Sequence, residues 1–259
     1  MRYILLIILL SGTLGSIAQK PTRKLVWSDE FNHNGLPDSS KWSYDTGSSG
    51  WGNNELEYYT RDRLENARIE KGKLIIETRK EDHKGAQYTS ARMVTKNKGD
   101  WKYGRIEVKA KLPKGKGMWP AIWMLSTDDA YGGWPHSGEI DIMENVGYMA
   151  DSIFGSVHTG AFNHVIHTQR TKGYYIKNLS SVFHIYAIEW NADEIQFYVD
   201  NAMYMTFRND HQGSEHWPFD KPFHIIMNIA VGGNWGGKFG VDNSVFPQKM
   251  IVDYVRVYQ

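Results

Sequence analysis

Hydrophobic and polar residues alternate along much of this chain with a period of two. The clearest case is the segment YGRIEVKAKL, where Ile106, Val108, Ala110 and Leu112 alternate with charged residues. This period places one face of a β-strand in the core and the other in water. The segment therefore predicts a half-buried strand over residues 103–112.

Other segments have the same strand-like character. The further predicted strands cover residues 73–80, 139–144, 183–190, 194–200, 203–207, 223–231 and 250–258. Short turns at Asn191-Ala192-Asp193 and at Asp200-Asn201 predict two hairpins. The run FHIIMNIAV, residues 223–231, is apolar enough to predict a strand buried on both faces. The chain ends on a strand, which we expect to be part of a sheet.

Many short strands joined by Gly, Asn and Asp turns, without a sustained helical period, predict an all-β fold. The expected architecture is an antiparallel β-sandwich or jelly roll. No linker or internal repeat interrupts residues 19–259, so these are predicted to form a single domain. Large two-sheet sandwiches bend, and the concave face of such a sandwich offers a cleft for an extended polymer.

The first residues have the pattern of a secretory signal peptide. Arg2 precedes an apolar run from Ile4 to Leu10 and the small-x-small triplet Ser16-Ile17-Ala18. This pattern predicts a signal peptide over residues 1–18, with cleavage after Ala18. A membrane anchor is disfavoured because a spanning helix needs about 20 apolar residues. We expect export to the periplasm or out of the cell.

Composition narrows the class of ligand. The chain has 30 basic and 29 acidic residues, and without Arg2 of the signal peptide the mature chain is formally neutral. This balance gives no support for nucleic acid or a membrane surface as a partner. The absence of cysteine excludes disulfides, thiolate metal sites and a cysteine nucleophile. The 10 Trp and 15 Tyr favour a carbohydrate ligand, because sugar C–H faces lie well against aromatic rings.

The segment EIDIME places three carboxylates on one predicted strand. In a regular strand Glu139 and Asp141 share a face, whereas Glu144 lies on the other. A β-bulge at Met143, or at Ile142 with Met143, absorbs one residue and returns Glu144 to the face of the other two. We therefore predict a bulge in this strand if the three acids act together.

Three carboxyl groups on one face suit the cleavage of a glycosidic bond. One carboxylic acid protonates the leaving oxygen, and one carboxylate attacks the sugar or activates water. A third carboxyl between them helps to separate their pKa values. The alternative is a solvated strand, although like charges clustered on one core-backed strand cost stability. Spacing alone leaves both interpretations open.

The segment SGEIDIMENVG resembles the signature of glycoside hydrolase family 16, in its bacterial laminarinase-like endo-β-1,3-glucanase branch. Six further segments resemble this family in its usual order: WSDEFN, WGNNELEYYT, YGRIEVKAKLPKGKGMWPAIWML, SVHTG, NIAVGGNWGG and VDYVRVYQ. The resemblance covers essentially the whole mature chain. It implies a bent β-jelly roll with a glucan cleft on its concave face.

The resemblance also implies a retaining mechanism without a catalytic cofactor. Glu139 would be the nucleophile, Glu144 the acid/base, and Asp141 the residue that orients and tunes the pair. The spacing E-x-D-x-x-E is the bulged form of the family motif, which is typical of laminarinases rather than of the lichenase type. The predicted bulge and the family branch therefore agree.

Seven positions resemble cleft residues that stack on or hydrogen-bond glucose units. They are Asn53, Arg92, Trp119, Trp123, Trp134, His158 and Trp235. Trp119 and Trp123 have burial in the core as an alternative, since tryptophan is often buried. The alternative for His158 is a structural histidine with satisfied hydrogen bonds.

Many family members carry a structural calcium ion on the convex face. The matching positions here are Glu30, the backbone carbonyl of Gly72, and Asp253. Oxygen ligands suit a hard cation, and an ion would help to hold a protein without disulfides. The alternative is a set of ordinary turn carboxylates without an ion.

Three residues near these motifs have other interpretations. Glu55 and Glu57 are interpreted as structural or peripheral. His136 stands where small residues are more usual in the family. This departure is expected to change the edge of the cleft without touching the three acids.

The leading hypothesis is an exported, monomeric endo-β-1,3-glucanase that acts on a polysaccharide. The same scaffold acting on mixed-linkage β-glucan, agarose or carrageenan is the first alternative, and a transglycosylase is the second. The third alternative is a non-catalytic glucan-binding module, which the presence of all three acids disfavours. The segments WGNNELEYYT and GGNWGG favour glucan over galactan.

Overall fold

The computed structural model describes residues 23–259, which form eighteen strands and two short 3-10 helices. The strands are β1 Leu25–Asp29, β2 Ser43–Asp45, β3 Glu57–Tyr59, β4 Ala67–Glu70, β5 Lys73–His83, β6 Ala86–Ser90, β7 Arg92–Val94, β8 Asp100–Trp101, β9 Gly104–Lys111, β10 Met118–Ser126, β11 Glu139–Glu144, β12 Ser152–His158, β13 Arg170–Tyr175, β14 His184–Trp190, β15 Glu194–Val199, β16 Ala202–Arg208, β17 Phe223–Val231 and β18 Gln248–Tyr258. The helices are His164–Ile166 and Asn243–Val245. In this range no helix has the length and hydrophobicity to cross a bilayer. The predicted signal peptide, residues 1–18, lies outside the described residues.

The strands form two sheets. The ten-stranded sheet has the order β16-β15-β14-β9-β18-β5-β6-β3, with β1 against β18 and β4 against β5. The eight-stranded sheet has the order β13-β12-β11-β10-β17-β7-β2, with β8 against β17. Between residues 23 and 259, β3 with β6 is the one parallel pair of strands. The prediction of an all-β, mainly antiparallel sandwich is confirmed.

The predicted strands are present, with ends that differ by a few residues. The period-two segment forms β9, in which Ile106, Val108 and Ala110 are buried. All nine residues of β17 are buried, as the run FHIIMNIAV predicts. Both predicted hairpins are confirmed by the pairing of β15 with β14 and with β16. The C-terminal strand β18 lies between β5 and β9, so the end of the chain is part of a sheet.

One hydrophobic core fills the space between the sheets. Apolar side chains of β9, β14 and β18 pack there with those of β10, β11 and β17. From β11 the core receives Ile140, Ile142 and Met143, all fully buried. The acidic side chains of the same strand are thereby directed to the opposite, outer face of the eight-stranded sheet.

Strand β11 carries the predicted bulge. Between Asp141 and Glu144 it has two residues, whereas the paired segment of β12 has only Gly155. Ile142 and Met143 are these two residues, and both point into the core. Two successive inward residues shift the alternation by one, so Glu144 returns to the face of Asp141. Burying one apolar side chain contributes about 1.5–3 kcal/mol, which favours the bulge over a regular strand that would bury Glu144.

Gly155 makes the close packing opposite the bulge possible. A Cβ atom at this position would lie 2.5 Å from the hydroxyl of Tyr204 and 2.9 Å from Cδ1 of Phe197. Both distances are shorter than van der Waals contact, so a larger residue would push β12 away from the ten-stranded sheet. Glycine therefore helps to hold β12 in register with the bulged strand.

Candidate active site

A cleft runs across the outer face of the eight-stranded sheet. Its floor is lined by side chains of β7, β10, β11 and β17 and by one residue of the loop before β3. These residues are Glu55, Arg92, Trp119, Trp123, Glu139, Asp141, Glu144 and Asn228. The cleft continues over β12 and the neighbouring loops, where its lining includes Asn53, His158, His164 and Trp235. The fold thus brings residues from distant parts of the chain to the three predicted acids.

Glu139 is held from two sides. The indole Nε1 of Trp134 donates a hydrogen bond of 2.6 Å to Glu139 Oε2. His158 Nε2 lies 3.9 Å from Glu139 Oε1 and 3.3 Å from Asp141 Oδ2. The imidazole and the two carboxyl groups therefore form one cluster at the start of β11.

Asp141 is the buried member of this cluster, with 2% of its surface exposed. Burial raises the pKa of Asp141 well above its usual range, and the charge of Glu139 raises it further. Together with a hydrogen bond between the two carboxyl groups, this effect holds the Asp141 proton to higher pH than in a free aspartic acid.

Glu144 lies on the other side of Asp141. Its backbone end is partly exposed, whereas its carboxyl group is enclosed by neighbouring side chains. Burial raises the pKa of Glu144 well above its usual range, and the charges of Asp141 and Glu139 add to this effect. Trp119 Nε1 opposes the shift with a hydrogen bond of 3.0 Å to Glu144 Oε1. A carboxyl group that keeps its proton at neutral pH can act as a general acid.

Replacing Trp119 by phenylalanine is expected to move the pH profile of the enzyme. The indole hydrogen bond stabilises the charged form of Glu144, so its loss raises the pKa of Glu144 further. The basic limb of kcat/KM against pH should shift to higher pH, and kcat/KM should fall about tenfold for a lost hydrogen bond of about 1.5 kcal/mol. Trp27→Phe, in β1 of the other sheet, is the matched control. An unchanged basic limb in Trp119→Phe would contradict this role.

The comparison with protein families agrees with this geometry. Residues 52–256 match the family described as Glycosyl hydrolases family 16. The chain belongs to this family. It is therefore a glycoside hydrolase.

Several relatives of this glycoside hydrolase are named as laminarinases or glucanases. A β-glucanase of Rhodothermus marinus is 54% identical over 246 residues, covering 92% of this chain and 86% of the relative. The X-ray structure of the laminarinase from Rhodothermus marinus matches with a TM-score of 0.91 and 54% identity, over 93% of this chain and 99% of that chain. SCLam, described as a non-specific endo-β-1,3(4)-glucanase, matches with a TM-score of 0.87 and 52% identity, over 92% of this chain and 91% of that chain.

The structure places the predicted substrate residues of this hydrolase in the cleft. Trp119 and Trp123 are partly exposed on β10 and line the floor, not the core. The guanidinium of Arg92 lies between the rings of Trp51 and Trp123, 4.7 Å from each centroid. Trp134 is 39% exposed and lies on the Glu139 side of the acid cluster. Contact of these residues with a sugar stays a prediction.

Sequence reasoning missed several cleft residues. Asn228 accepts a 2.8 Å hydrogen bond from Trp123 Nε1 through its Oδ1. The sequence does contain a signal for Asn228, which is the single amide inside the apolar run FHIIMNIAV. A buried polar group needs a hydrogen-bond partner, so this position could have been predicted to contact another polar residue. Trp51 and His164 gave no comparable signal, since their neighbours in the cleft are distant in sequence. Glu55, interpreted as structural or peripheral, instead lines the cleft floor.

The predicted calcium positions are occupied by basic side chains. Arg256 makes two 2.9 Å hydrogen bonds to the carboxylate of Glu30. Lys73 Nζ lies 2.7 Å from Asp253 Oδ1 and 3.2 Å from the carbonyl oxygen of Gly72. Oxygen atoms already bound to ammonium and guanidinium groups do not fit a calcium ion. We therefore assign no role to calcium, and its binding stays a prediction.

His136 lies at the edge of the cleft. Its Nδ1 is 3.0 Å from Glu215 Oε1, and both side chains are about half exposed. Gly160 leaves room for this pair, because a Cβ atom there would lie 1.8 Å from Glu215 Oε2. His136 thus joins loops beside the cleft and pairs with Glu215 instead of with the three acids.

Proposed function

We propose that this glycoside hydrolase is a retaining endo-β-1,3-glucanase. The observation that carries the proposal is the bulge in β11, which brings Glu139, Asp141 and Glu144 to one cleft, where burial raises the pKa of Asp141 and of Glu144. The laminarinase of Rhodothermus marinus, at 54% identity over nearly the whole chain, supports β-1,3-glucan as the substrate.

The first half of the reaction forms a covalent intermediate. The Glu139 carboxylate attacks the anomeric carbon, while Glu144 gives its proton to the glycosidic oxygen and the bond to the leaving sugar breaks. Protonated Asp141 donates to Glu139 and orients the attacking carboxylate. Trp134 Nε1 also fixes the orientation of the Glu139 carboxylate through its hydrogen bond to Oε2.

The second half of the reaction releases the product. Glu144, now a carboxylate, takes a proton from a water molecule, whose oxygen attacks the anomeric carbon. The bond to Glu139 breaks, and the carboxylate is regenerated. Two inversions retain the anomeric configuration. No step needs a metal ion or a cofactor, because the three carboxyl groups supply the nucleophile and both proton transfers.

Mixed-linkage β-glucan is the second candidate substrate. SCLam, at 52% identity, is described as acting on both β-1,3 and β-1,4 linkages, and its match covers 92% of this chain. The cleft tryptophans Trp119, Trp123 and Trp235 can stack on glucose units of either polymer. Agarose and carrageenan, a transglycosylase and a binding module remain as lower-ranked alternatives.

A panel of polysaccharides tests the proposal. The mature protein is incubated with laminarin, lichenan, agarose and carrageenan in the presence of EDTA, and the products are sized and their first-formed anomers assigned by NMR. We expect a ladder of oligosaccharides from laminarin, with retained β-anomers, and slower cleavage of lichenan. Inverted anomers would reject the mechanism. Products longer than the substrate would indicate transglycosylation, and loss of activity with EDTA would contradict the absence of a cofactor.

We propose further that the mature enzyme is exported and acts as a monomer. The signal-peptide pattern of residues 1–18 and a polymeric substrate support export. Mass determination of the protein recovered from outside the cytoplasm is expected to show cleavage after Ala18. Light scattering is expected to give the mass of one chain, and a dimer mass would reject the monomer.

A further inference from the structure

A line of hydrogen bonds runs from the cleft into the sheet beneath it. Trp123 Nε1 donates to Asn228 Oδ1 at 2.8 Å, and Asn228 Nδ2 donates to the hydroxyl oxygen of Tyr59 at 2.9 Å. The Tyr59 hydroxyl in turn donates to Glu55 Oε2 at 3.0 Å. In all three bonds the donor lies on the Trp123 side and the acceptor on the Glu55 side. The line ends at the carboxyl group of Glu55 in the cleft floor.

The chemistry of the donors fixes this direction. An indole N–H can only donate, so the Asn228 amide must turn its oxygen to Trp123 and its NH₂ group to Tyr59. The Tyr59 oxygen accepts the amide hydrogen, and its own proton is left for Glu55. Glu55 Oε2 is therefore the acceptor of this hydrogen bond. Glu55 Oε1 is also an acceptor, with Asn53 Nδ2 at 3.4 Å.

Glu57 lies behind Glu55 and is fully buried. Its Oε2 accepts a 2.6 Å hydrogen bond from the backbone N–H of Val231. Its Oε1 is buried without a protein donor, and the neighbouring group is the Glu55 carboxyl. Two carboxylates cannot hydrogen-bond each other unless one carries a proton. Because Glu57 Oε1 has no other partner and both oxygens of Glu55 accept hydrogen bonds from other groups, we place the shared proton on Glu57.

The surrounding charges agree with this assignment. The titratable or charged side chains near the pair are Tyr59, Tyr88 in register with Glu57 on β6, and Arg92, which is paired with Asp45. Burial and the charge of Glu55 raise the pKa of Glu57 well above its usual range. Burial also raises the pKa of Glu55, but its hydrogen bonds with Glu57, Tyr59 and Asn53 and the charge of Arg92 oppose this rise.

We propose that Glu55 and Glu57 form a positioning pair for the glucan, in which Glu57 keeps its proton and Glu55 is the carboxylate that anchors Trp123 and Asn53. The inference rests on the proposed function as a glucanase. Hydrogen bonds to a charged acceptor are the stronger ones, so a Glu55 carboxylate fixes the cleft tryptophan better than a neutral group. Ionisation of Glu57 would place two like charges together and loosen this anchor.

Glucan affinity should therefore fall as pH rises through the ionisation of Glu57, independently of catalysis. Binding of a laminarin oligosaccharide is measured by calorimetry in a Glu139→Ser background, between about pH 6 and pH 9. We expect the background protein to lose affinity with pH. Adding Glu57→Gln, which keeps a donor and cannot ionise, should remove the part of this pH dependence that comes from Glu57 and leave the part that comes from Glu144, whose pKa is also raised. Equal pH dependence with and without Glu57→Gln would overturn the proposal.

Infrared spectroscopy tests the proton without a substrate. The carbonyl stretch of a protonated carboxylic acid should be present at neutral pH and lose one component in Glu57→Gln. Glu70→Gln, at a half-exposed acid on β4, is the matched control and should keep that component. Absence of a Glu57 component at neutral pH overturns the proton assignment. If the component is present but the parent cleaves and binds no glucan, the role in glucan binding is overturned together with the proposed substrate.

Discussion

Replacing Glu139 by serine is expected to abolish hydrolysis of laminarin and leave oligosaccharide binding largely intact. Serine at this position cannot supply the carboxylate that attacks the anomeric carbon, and loss of a nucleophile costs on the order of 10⁴-fold or more in kcat. The stacking surfaces of Trp119 and Trp123 lie on β10 and stay in place, so the Kd should change by no more than about threefold. Hydrolysis by product sizing and Kd by calorimetry check the two parts.

A matched control and a covalent probe complete this experiment. Glu65→Ser removes a half-exposed carboxylate that pairs with Arg63, remote from the cleft, and should leave activity unchanged. A 2-fluoro-glucosyl probe should give a covalent adduct on Glu139 of the parent, detected by mass spectrometry. Hydrolysis by Glu139→Ser at the parent rate would show that the nucleophile lies elsewhere.

Replacing Glu144 by glutamine is expected to lower kcat for laminarin by about 10²–10⁴-fold, because general acid catalysis is lost. A substrate with a good leaving group needs little protonation, so its first step should be slowed far less. Azide, which needs no general base, should restore turnover and yield a β-glycosyl azide. The same anion should give an α-glycosyl azide with a Glu139 variant, since it then attacks in place of the nucleophile. A β-azide from the Glu139 variant would reverse the two assignments.

The stability of Glu144→Gln should depend on pH with a defined sign. The folded state raises the pKa of Glu144, so the parent binds this proton more tightly folded than unfolded. The resulting stabilisation is complete below the unfolded pKa and is lost as pH rises through the folded pKa. Glutamine cannot ionise, so the variant has no such loss of stability at this position. The Tm of Glu144→Gln minus the Tm of the parent should therefore increase from acid to alkaline pH. A difference that stays constant with pH would contradict the raised pKa of Glu144.

Strand β11 shows how much of the site the local sequence pattern predicts. If the three acids act together, parity requires an irregularity between Asp141 and Glu144, and the sequence places it at Met143 or at Ile142 with Met143. The structure confirms the bulge because both side chains gain core contacts. The glycine that β12 places opposite the bulge, Gly155, was not predicted, because the close approach of Tyr204 depends on the packing of the two sheets.

The predicted calcium positions show what residue type alone leaves out. Glu30, Gly72 and Asp253 match the family in residue type, which is all that a sequence displays. Arg256 and Lys73, whose side chains reach those oxygens, come from different strands. Whether a carboxylate is free for a metal ion is a property of its neighbours in space.

The sequence by itself determined the all-β class, the strand positions, the acidic motif and, if the three acids act together, a bulge, because these follow from side-chain alternation along the strands. Only the tertiary structure decided which residues share the cleft. Glu55 and Glu57 illustrate the reason, since each looks like an ordinary acid in WGNNELEYYT. Glu57 accepts a hydrogen bond from the backbone of Val231, and Tyr59, which donates to Glu55, accepts one from Asn228. Val231 and Asn228 lie on β17, so no local pattern in WGNNELEYYT records these contacts.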